Sequence, residues 1–472
     1  MRIGPRTVAE VERPAGRGVG RIQARSGRRK SDSPPGFALF IVLVVFTLLN
    51  IPSRWPPLGV VRPTVLLVLV VAGLIIVHGG ARQQADAART TRRLNVLIAY
   101  ILLTIPFVEW PGSVVRFGLE NLMKAVVYFY FAAYLVDSFQ RLRVLIGAFV
   151  VCQVIRILEP LYLHVTTGYW GDSASMGDGE FLSRLSGAPA DIINPNGLAF
   201  VILSVLPFLH YLLWGSGRRL LQLLYLTILP AVLYAFMLTG SRSGMVGLVV
   251  LVGFMIWRSP HRVVAMAAAA VAAMIMVSVM DAGMQDRYLS LAETGTKHDA
   301  TRQGRIEGVQ KDVQLGMRRP LFGHGLGTSV EALTHFRGRA QISHNLYTET
   351  FIELGIVGLV LYLRVLLSIL TNVRAVGPAI QALGRRSDTE PGRIAEQDVS
   401  YAARLAEAVY AWVVMCLVFS LASYGLSEFY WYMVAGISVA LRNVIASPDQ
   451  HSARGRPGRV SVPSPQAVSP NG

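Results

Sequence analysis

Apolar stretches long enough to cross a bilayer recur from residue 37 to residue 446, with little polar sequence between them. A helix needs roughly 20 residues, within about 17–25, to span the hydrocarbon. Inside it no water bonds the peptide groups, so a continuous apolar run of this length becomes helix. Twelve stretches qualify: 37–52, 60–78, 94–109, 115–136, 144–166, 195–214, 220–239, 241–257, 263–281, 344–372, 401–423 and 427–446. The expected fold is an all-α integral membrane protein of about 12 transmembrane helices, with the membrane domain at 37–446. Composition agrees, since 53% of the residues are hydrophobic and 15% charged, against about 25% charged in soluble domains. A soluble enzyme and a chain held by a single anchor are both excluded.

The flanks differ. Residues 1–36 are rich in Arg, Gly, Pro and Ser, and 447–472 are similar. Neither can bury enough apolar surface to pack, so both are expected to be disordered cytoplasmic tails. The first is too long for a signal peptide and lacks a small-residue cleavage site. The net charge of +17 comes almost wholly from arginine. No soluble basic domain carries it, so no nucleic-acid partner is expected. Arginines sit instead in alternate short loops: Arg82, Arg89, Arg92 and Arg93; Arg141 and Arg143; Arg218 and Arg219; Arg258 and Arg262; Arg374, Arg385 and Arg386. The loops between carry little: Arg54 in the first, no basic residue in 110–113, and a net acidic 167–193 with Asp172, Asp178, Glu180 and Asp191. By the positive-inside bias both termini are cytoplasmic. One large outer segment, 282–343, then separates the ninth and tenth spans. Cys152 and Cys416 lie within apolar runs, and no disulfide framework is expected.

Span interiors read as nearly free of ionisable groups, which argues against a transporter with a charged midplane. The unusual residues gather on the outer face. Thr239-Gly240-Ser241-Arg242-Ser243-Gly244 joins two spans, and an arginine there breaks the charge bias. Either it is a turn whose arginine snorkels, or it is a fixed guanidinium among small hydroxyls, suited to grip a phosphate bidentately. In the outer segment Arg302 and Arg305 open a pattern whose apolar positions Ile306, Val309, Val313 and Met317 predict one apolar helix face. A membrane-surface helix and a solvated charged helix both fit. Gly323, Gly325 and Gly327 form a glycine-rich turn of low specificity. Ser343-His344-Asn345-Leu346-Tyr347 opens the tenth span, with Glu349 and Glu353 one turn apart behind it. His344 is a structural interface residue or a proton acceptor near neutral pH. His324 and His335 lack that His-Asn context and are expected to tolerate alanine.

Gly240-Ser241-Arg242-Ser243-Gly244, then Arg305, Pro320-Leu321-Phe322-Gly323-His324-Gly325, and His344-Asn345-Leu346-Tyr347 with Glu349 and Glu353, together resemble the O-antigen ligase and O-antigen polymerase superfamily over about residues 190–370. Asn194-Pro195-Asn196-Gly197 adds to the likeness. The resemblance implies a membrane glycosyltransferase fold of the GT-C type in the bacterial inner membrane. It implies an undecaprenyl-pyrophosphate-linked glycan donor and an acceptor hydroxyl on a glycan, lipid or protein, with a chain-length regulator as a further partner. Carried over by motif, Arg242 and Arg305 hold the pyrophosphate and His344 takes the acceptor proton. Arg302, Ser241, Ser243, Asn345, Glu349 and Glu353 are expected to bind substrate. The first outer loop has no carboxylate, and Asp172, Asp178 and Glu180 read as a flexible loop, so no metal or other cofactor is expected. The alternative is a flippase or transporter of lipid-linked glycans.

Overall fold

The computed structural model describes residues 35–78, 88–177, 180–191, 193–289, 299–338, 343–387, 396–423 and 425–446. The expected tails lie outside these residues, apart from Pro35 and Gly36, which open the first helix. Among the described residues seven helices are long and apolar enough to cross a membrane: Phe139–Thr167, Pro195–Ser216, Arg219–Leu238, Arg262–Val279, Leu346–Ala382, Glu396–Phe419 and Phe429–Ala446. The other five expected spans are also helical, but shorter. Pro35–Leu48 has 14 residues, Pro63–His78 and Arg89–Thr104 have 16 each, and Leu119–Leu135 and Arg242–Arg258 have 17 each. The chain is a multi-pass membrane protein.

Phe429–Ala446 is buried on nearly every side and forms the bundle's axis. Gly436 lets it press against the Phe129 carbonyl and Ala132 of Leu119–Leu135. Lower down, Asn372 donates to Thr90 Oγ1 at 2.9 Å and to Ser438 Oγ at 3.0 Å, tying three helices through one buried amide. At the other extreme, no residue of Arg262–Val279 is fully buried; only the stripe Ala265, Ala269, Ala272 and Met276 is half-buried against the bundle, and the rest of the helix faces outward.

Two features depart from the expected pattern. The segment 167–193 is not a featureless loop: Gly171–Gly177 and Glu180–Leu185 pair as an antiparallel ribbon, with Asp172 opposite Arg184. Asp178 lies outside the described residues. Nor is Phe139–Thr167 free of charge. Arg156 is buried inside it, donating from Nε and Nη2 to the two carboxylate oxygens of Asp191 at 2.8 and 3.0 Å. Its Nη1 reaches Gln153 Oε1 at 3.1 Å and the Tyr430 hydroxyl at 2.7 Å. One turn on, Glu159 accepts two bonds from Arg54, at 2.6 and 2.5 Å. A charge in hydrocarbon survives only when paired, and these pairs pin the loops at 49–54 and 186–191 to that helix.

The tenth expected span is a broken helix. Gly355 inside Leu346–Arg374 has φ 68° and ψ −173°. The break inserts the Pro320–Gly323 strap: Ile356 N–H donates to the Pro320 carbonyl at 2.7 Å, and Tyr100 donates its hydroxyl to the Leu354 carbonyl at 2.8 Å. A Cβ at Gly355 would collide with the Leu321 carbonyl, besides straining the positive φ. Gly355→Ala should therefore lower thermal stability by about 1–3 kcal/mol or abolish folding. Gly253→Ala meets open space and should not; size-exclusion thermal melts of the two variants make the comparison.

Candidate active site

Arg219–Leu238 ends at Thr239, and Gly240 turns the chain with φ 53°. Ser241 caps the next helix, its Oγ accepting the Gly244 N–H at 3.1 Å. The same hydroxyl donates to Asn196 Oδ1 at 2.8 Å and lies 3.3 Å from Ser243 Oγ. Thr239, Ser241 and Ser243 are buried, and Arg242 is half-buried at the first helical position.

Two further arginines close on this turn. Arg184 donates from Nε to the Thr239 carbonyl at 2.8 Å and from Nη2 to Asn196 Oδ1 at 3.1 Å. Arg287, in the Ala282–Leu289 helix, donates from Nε to the Gly240 carbonyl at 2.7 Å. Both are buried. Beside them Tyr288 donates to the Met237 carbonyl at 3.2 Å. Desolvation pushes its phenol up to about 12 although the Arg184 and Arg287 charges oppose this, so it stays a neutral donor. Three guanidinium-bearing residues thus meet at one tight turn that opens a helix. Positive charge at a helix N-terminus makes a place for an anion.

His344 stands at a second station. It is exposed, while its neighbours Ser343 and Asn345 are buried and held. Asn345 caps the Leu346–Arg374 helix, its Oδ1 accepting from Tyr347 and Thr348 N–H at 2.9 and 3.2 Å. Ser343 donates to Asp312 Oδ2 at 2.8 Å, and the Thr348 hydroxyl reaches the same oxygen at 3.1 Å. Leu346 N–H donates to the Ser420 carbonyl at 3.0 Å. An imidazole offered to solvent between two fixed residues can meet a substrate without reordering its backbone.

The two stations share one end of the bundle. Gly247, about 7 Å along the helix from Arg242 at 1.5 Å per residue, faces Phe419, which adjoins Ser420. The Asp299–Gly316 helix, carrying Arg302 and Arg305, packs on the helix behind His344, with Gly316 making room for the Phe351 ring. The side chains of Arg302 and Arg305 lie outside the described residues. Ile306, Val309, Val313 and Met317 point away from the bundle, 37–61% exposed, while Asp312, Leu315 and Gly316 face inward.

The carboxylates expected to bind substrate hold loops. Glu349 Oε2 accepts from Gly425 and Leu426 N–H at 2.8 and 3.2 Å. Glu353 accepts from Gly327 and Ser329 N–H at 2.8 and 3.3 Å. Amides of the glycine-rich turn are likewise used in packing: His324 and Gly325 N–H donate to the Ile352 and Glu353 carbonyls at 2.8 and 3.0 Å. His324 clamps two segments together. It is buried, with Nδ1 2.5 Å from Glu109 Oε2, Nε2 3.1 Å from the Leu315 carbonyl, and its ring stacked on Trp110. Alanine there removes a buried ring that bridges Glu109 and the Leu315 carbonyl, so a loss of stability is expected at His324, whereas His335, whose ring also stacks on Trp110, is still expected to tolerate alanine.

Residues 226–363 match the family model of the O-antigen ligases. Over that stretch the chain is similar to the O-antigen ligases. The matched stretch contains Ser241, Arg242, Ser243, Arg302, Arg305, His344, Asn345, Glu349 and Glu353. No curated protein matches the chain. Arg184, Asn196 and the Arg156–Asp191 pair lie outside the O-antigen ligase match, yet Arg184 and Asn196 brace its key turn. Sequence reading passed over Arg184 because one arginine in a glycine-rich acidic loop carries no periodic signal. Asp312 did leave one: with Gly308, Leu315 and Gly316 it falls on a second, inward face of the helix, at helical spacing.

Asn196 Oδ1 receives both Ser241 and Arg184, so Asn196→Ala should loosen the turn without touching the helices. Losing one to two hydrogen bonds of about 1 kcal/mol each predicts roughly five- to thirtyfold faster amide exchange across 239–244. Hydrogen exchange read by mass spectrometry checks this, with residues 429–446 as the unaffected reference.

Proposed function

We propose that this protein is a membrane transferase of surface-polysaccharide assembly, moving or polymerising glycan from an undecaprenyl-pyrophosphate-linked donor onto an acceptor hydroxyl. The observation that carries the reading is the gathering of Arg184, Arg242 and Arg287 about one helix-opening turn, at the same bundle end as an exposed, backbone-fixed His344. Displacement at an anomeric carbon needs two services. Charge must be neutralised on the departing pyrophosphate, and a base must stand at the attacking hydroxyl.

In this reading Arg242, with Arg305 and its helper Arg302, holds the pyrophosphate, and Ser241 and Ser243 supply short hydroxyls beside it. Arg184 and Arg287 fix the turn that aims Arg242 and add to its field. His344 takes the proton as the acceptor oxygen attacks. Asn345, Glu349 and Glu353 position the loops on which the site is mounted. The reaction needs no cofactor in this scheme, and the outer, arginine-bearing end faces the periplasm of a bacterial inner membrane, with both termini in the cytoplasm. Partners are the lipid-linked donor, a glycan, lipid or protein acceptor, and a chain-length regulator.

Purified protein given lipid-linked glycan together with an acceptor glycan should release undecaprenyl pyrophosphate as the glycan passes to the acceptor hydroxyl; a flippase would move the lipid and leave the bond intact. Arg242→Ala should lose nearly all transfer, and Arg242→Lys should recover little, because an ammonium cannot reproduce the bidentate fork.

His344 has its own test. A positioned base typically contributes ~10²–10⁴ in rate, so His344→Gln should lose a factor in that range and lose the acid limb of the pH–rate profile. Donor binding should persist. An acid limb that survives in the variant removes the base from the scheme.

A further inference from the structure

At the end of the bundle opposite the arginine turn lies a pocket of about 620 Å³. The helices fix its position. Arg219–Leu238 starts beside it and ends at Thr239, and Glu396–Phe419 starts beside it and ends at Ser420. At 1.5 Å per residue these helices put it roughly 25–30 Å from the proposed active site, so it is no annex of that site.

Three arginines from three separate elements line it: Arg143 in Phe139–Thr167, Arg218 just before Arg219–Leu238, and Arg404 in Glu396–Phe419. Asp398 answers Arg143, accepting from its Nη2 at 2.5 Å, while that guanidinium also sits over the Tyr401 ring. The other two are not matched in this way. Arg404 donates from Nη1 to Ser400 Oγ at 3.0 Å and to the Gly215 carbonyl at 3.3 Å, but its Nε is buried with no partner among the described residues. Arg218 makes no side-chain hydrogen bond or ion pair to a described residue, and Glu396, also in the lining, pairs with neither.

Like charges converging on one cavity, one of them with an unmet buried donor, are costly unless an anion enters. The cavity lies where short arginine-bearing loops meet the apolar helices, and Leu212 and Leu221 give it an apolar side. Basic pockets between helices at this level suit the phosphate heads of anionic lipids. We propose that this pocket binds a phosphate group, presented by an anionic phospholipid or as free phosphate, with Arg218 and Arg404 as its principal ligands. The guanidiniums take the phosphate oxygens, the Arg404 Nε gains its missing acceptor, and Leu212 and Leu221 flank the glycerol and first methylenes when the ligand is a lipid.

The experiment uses the full-length protein in mild detergent, with native mass spectrometry reading bound lipid. Phosphatidylglycerol, phosphatidylcholine and inorganic phosphate are the probes. Wild type should retain phosphatidylglycerol at least tenfold more strongly than phosphatidylcholine, and Arg218→Gln, a change at an exposed side chain, should remove that preference. Arg404→Gln should do the same. Displacement of the lipid by millimolar phosphate at constant ionic strength, with a thermal shift from phosphate alone that the variants lose, identifies free phosphate as a sufficient ligand. Selective lipid retention that phosphate does not disturb identifies the lipid. If wild type shows neither selective lipid retention nor a phosphate shift, or if both persist unchanged in Arg218→Gln and Arg404→Gln, the site does not exist.

Discussion

An unpaired peptide group in hydrocarbon costs several kcal/mol, and the whole structure answers to that cost. Where the chain crosses, it is helix. Where it stops being helix inside the packed body, released groups find partners at the breaks described. At Gly355 the break is met by the Tyr100 hydroxyl and the Pro320 carbonyl. Glu353 takes the amides of the glycine turn, and Glu349 those of the loop at 425–426. Irregular backbone is therefore confined to places that side chains can satisfy, and most of those places lie at one end of the bundle.

That confinement explains why the residues of the proposed site gather where they do. A tight turn such as Thr239–Ser241 leaves carbonyls turned away from both helices, and Arg184 and Arg287 bond to them. Their first service is structural. The consequence is electrostatic, since cations recruited to hold carbonyls also raise the local potential around Arg242. Mounting and field come from the same bonds. His344 follows a parallel logic: capping by Asn345 and the grip of Asp312 on Ser343 fix the backbone on either side, while the imidazole between them stays exposed.

The opposite end shows the contrast. There Arg143 and Arg258 are matched by Asp398 and Glu407 across helices. Arg218 and Arg404 are not, and they border an open cavity. Charge that orients a chain across a membrane needs no partner to do so, but charge that lines a cavity shapes what can enter it.

Much of this was legible in the sequence. Long apolar runs determined helices because hydrocarbon leaves no alternative, and every expected span coincides with a helix, seven of them of full crossing length. The Gly-Ser-Arg-Ser-Gly and His-Asn-Leu-Tyr motifs marked the two stations, because caps and tight turns are local and leave residue-level signatures. Only the tertiary structure decided the rest. It gave Glu349 and Glu353 to loop amides, made His324 a clamp, brought Arg184 across 55 residues to the Thr239 carbonyl, and paired Arg156 with Asp191. These contacts join residues far apart in the chain through single side chains. Periodicity and spacing carry no record of which distant carbonyl or carboxylate a buried polar group will find, so packing alone assigns it.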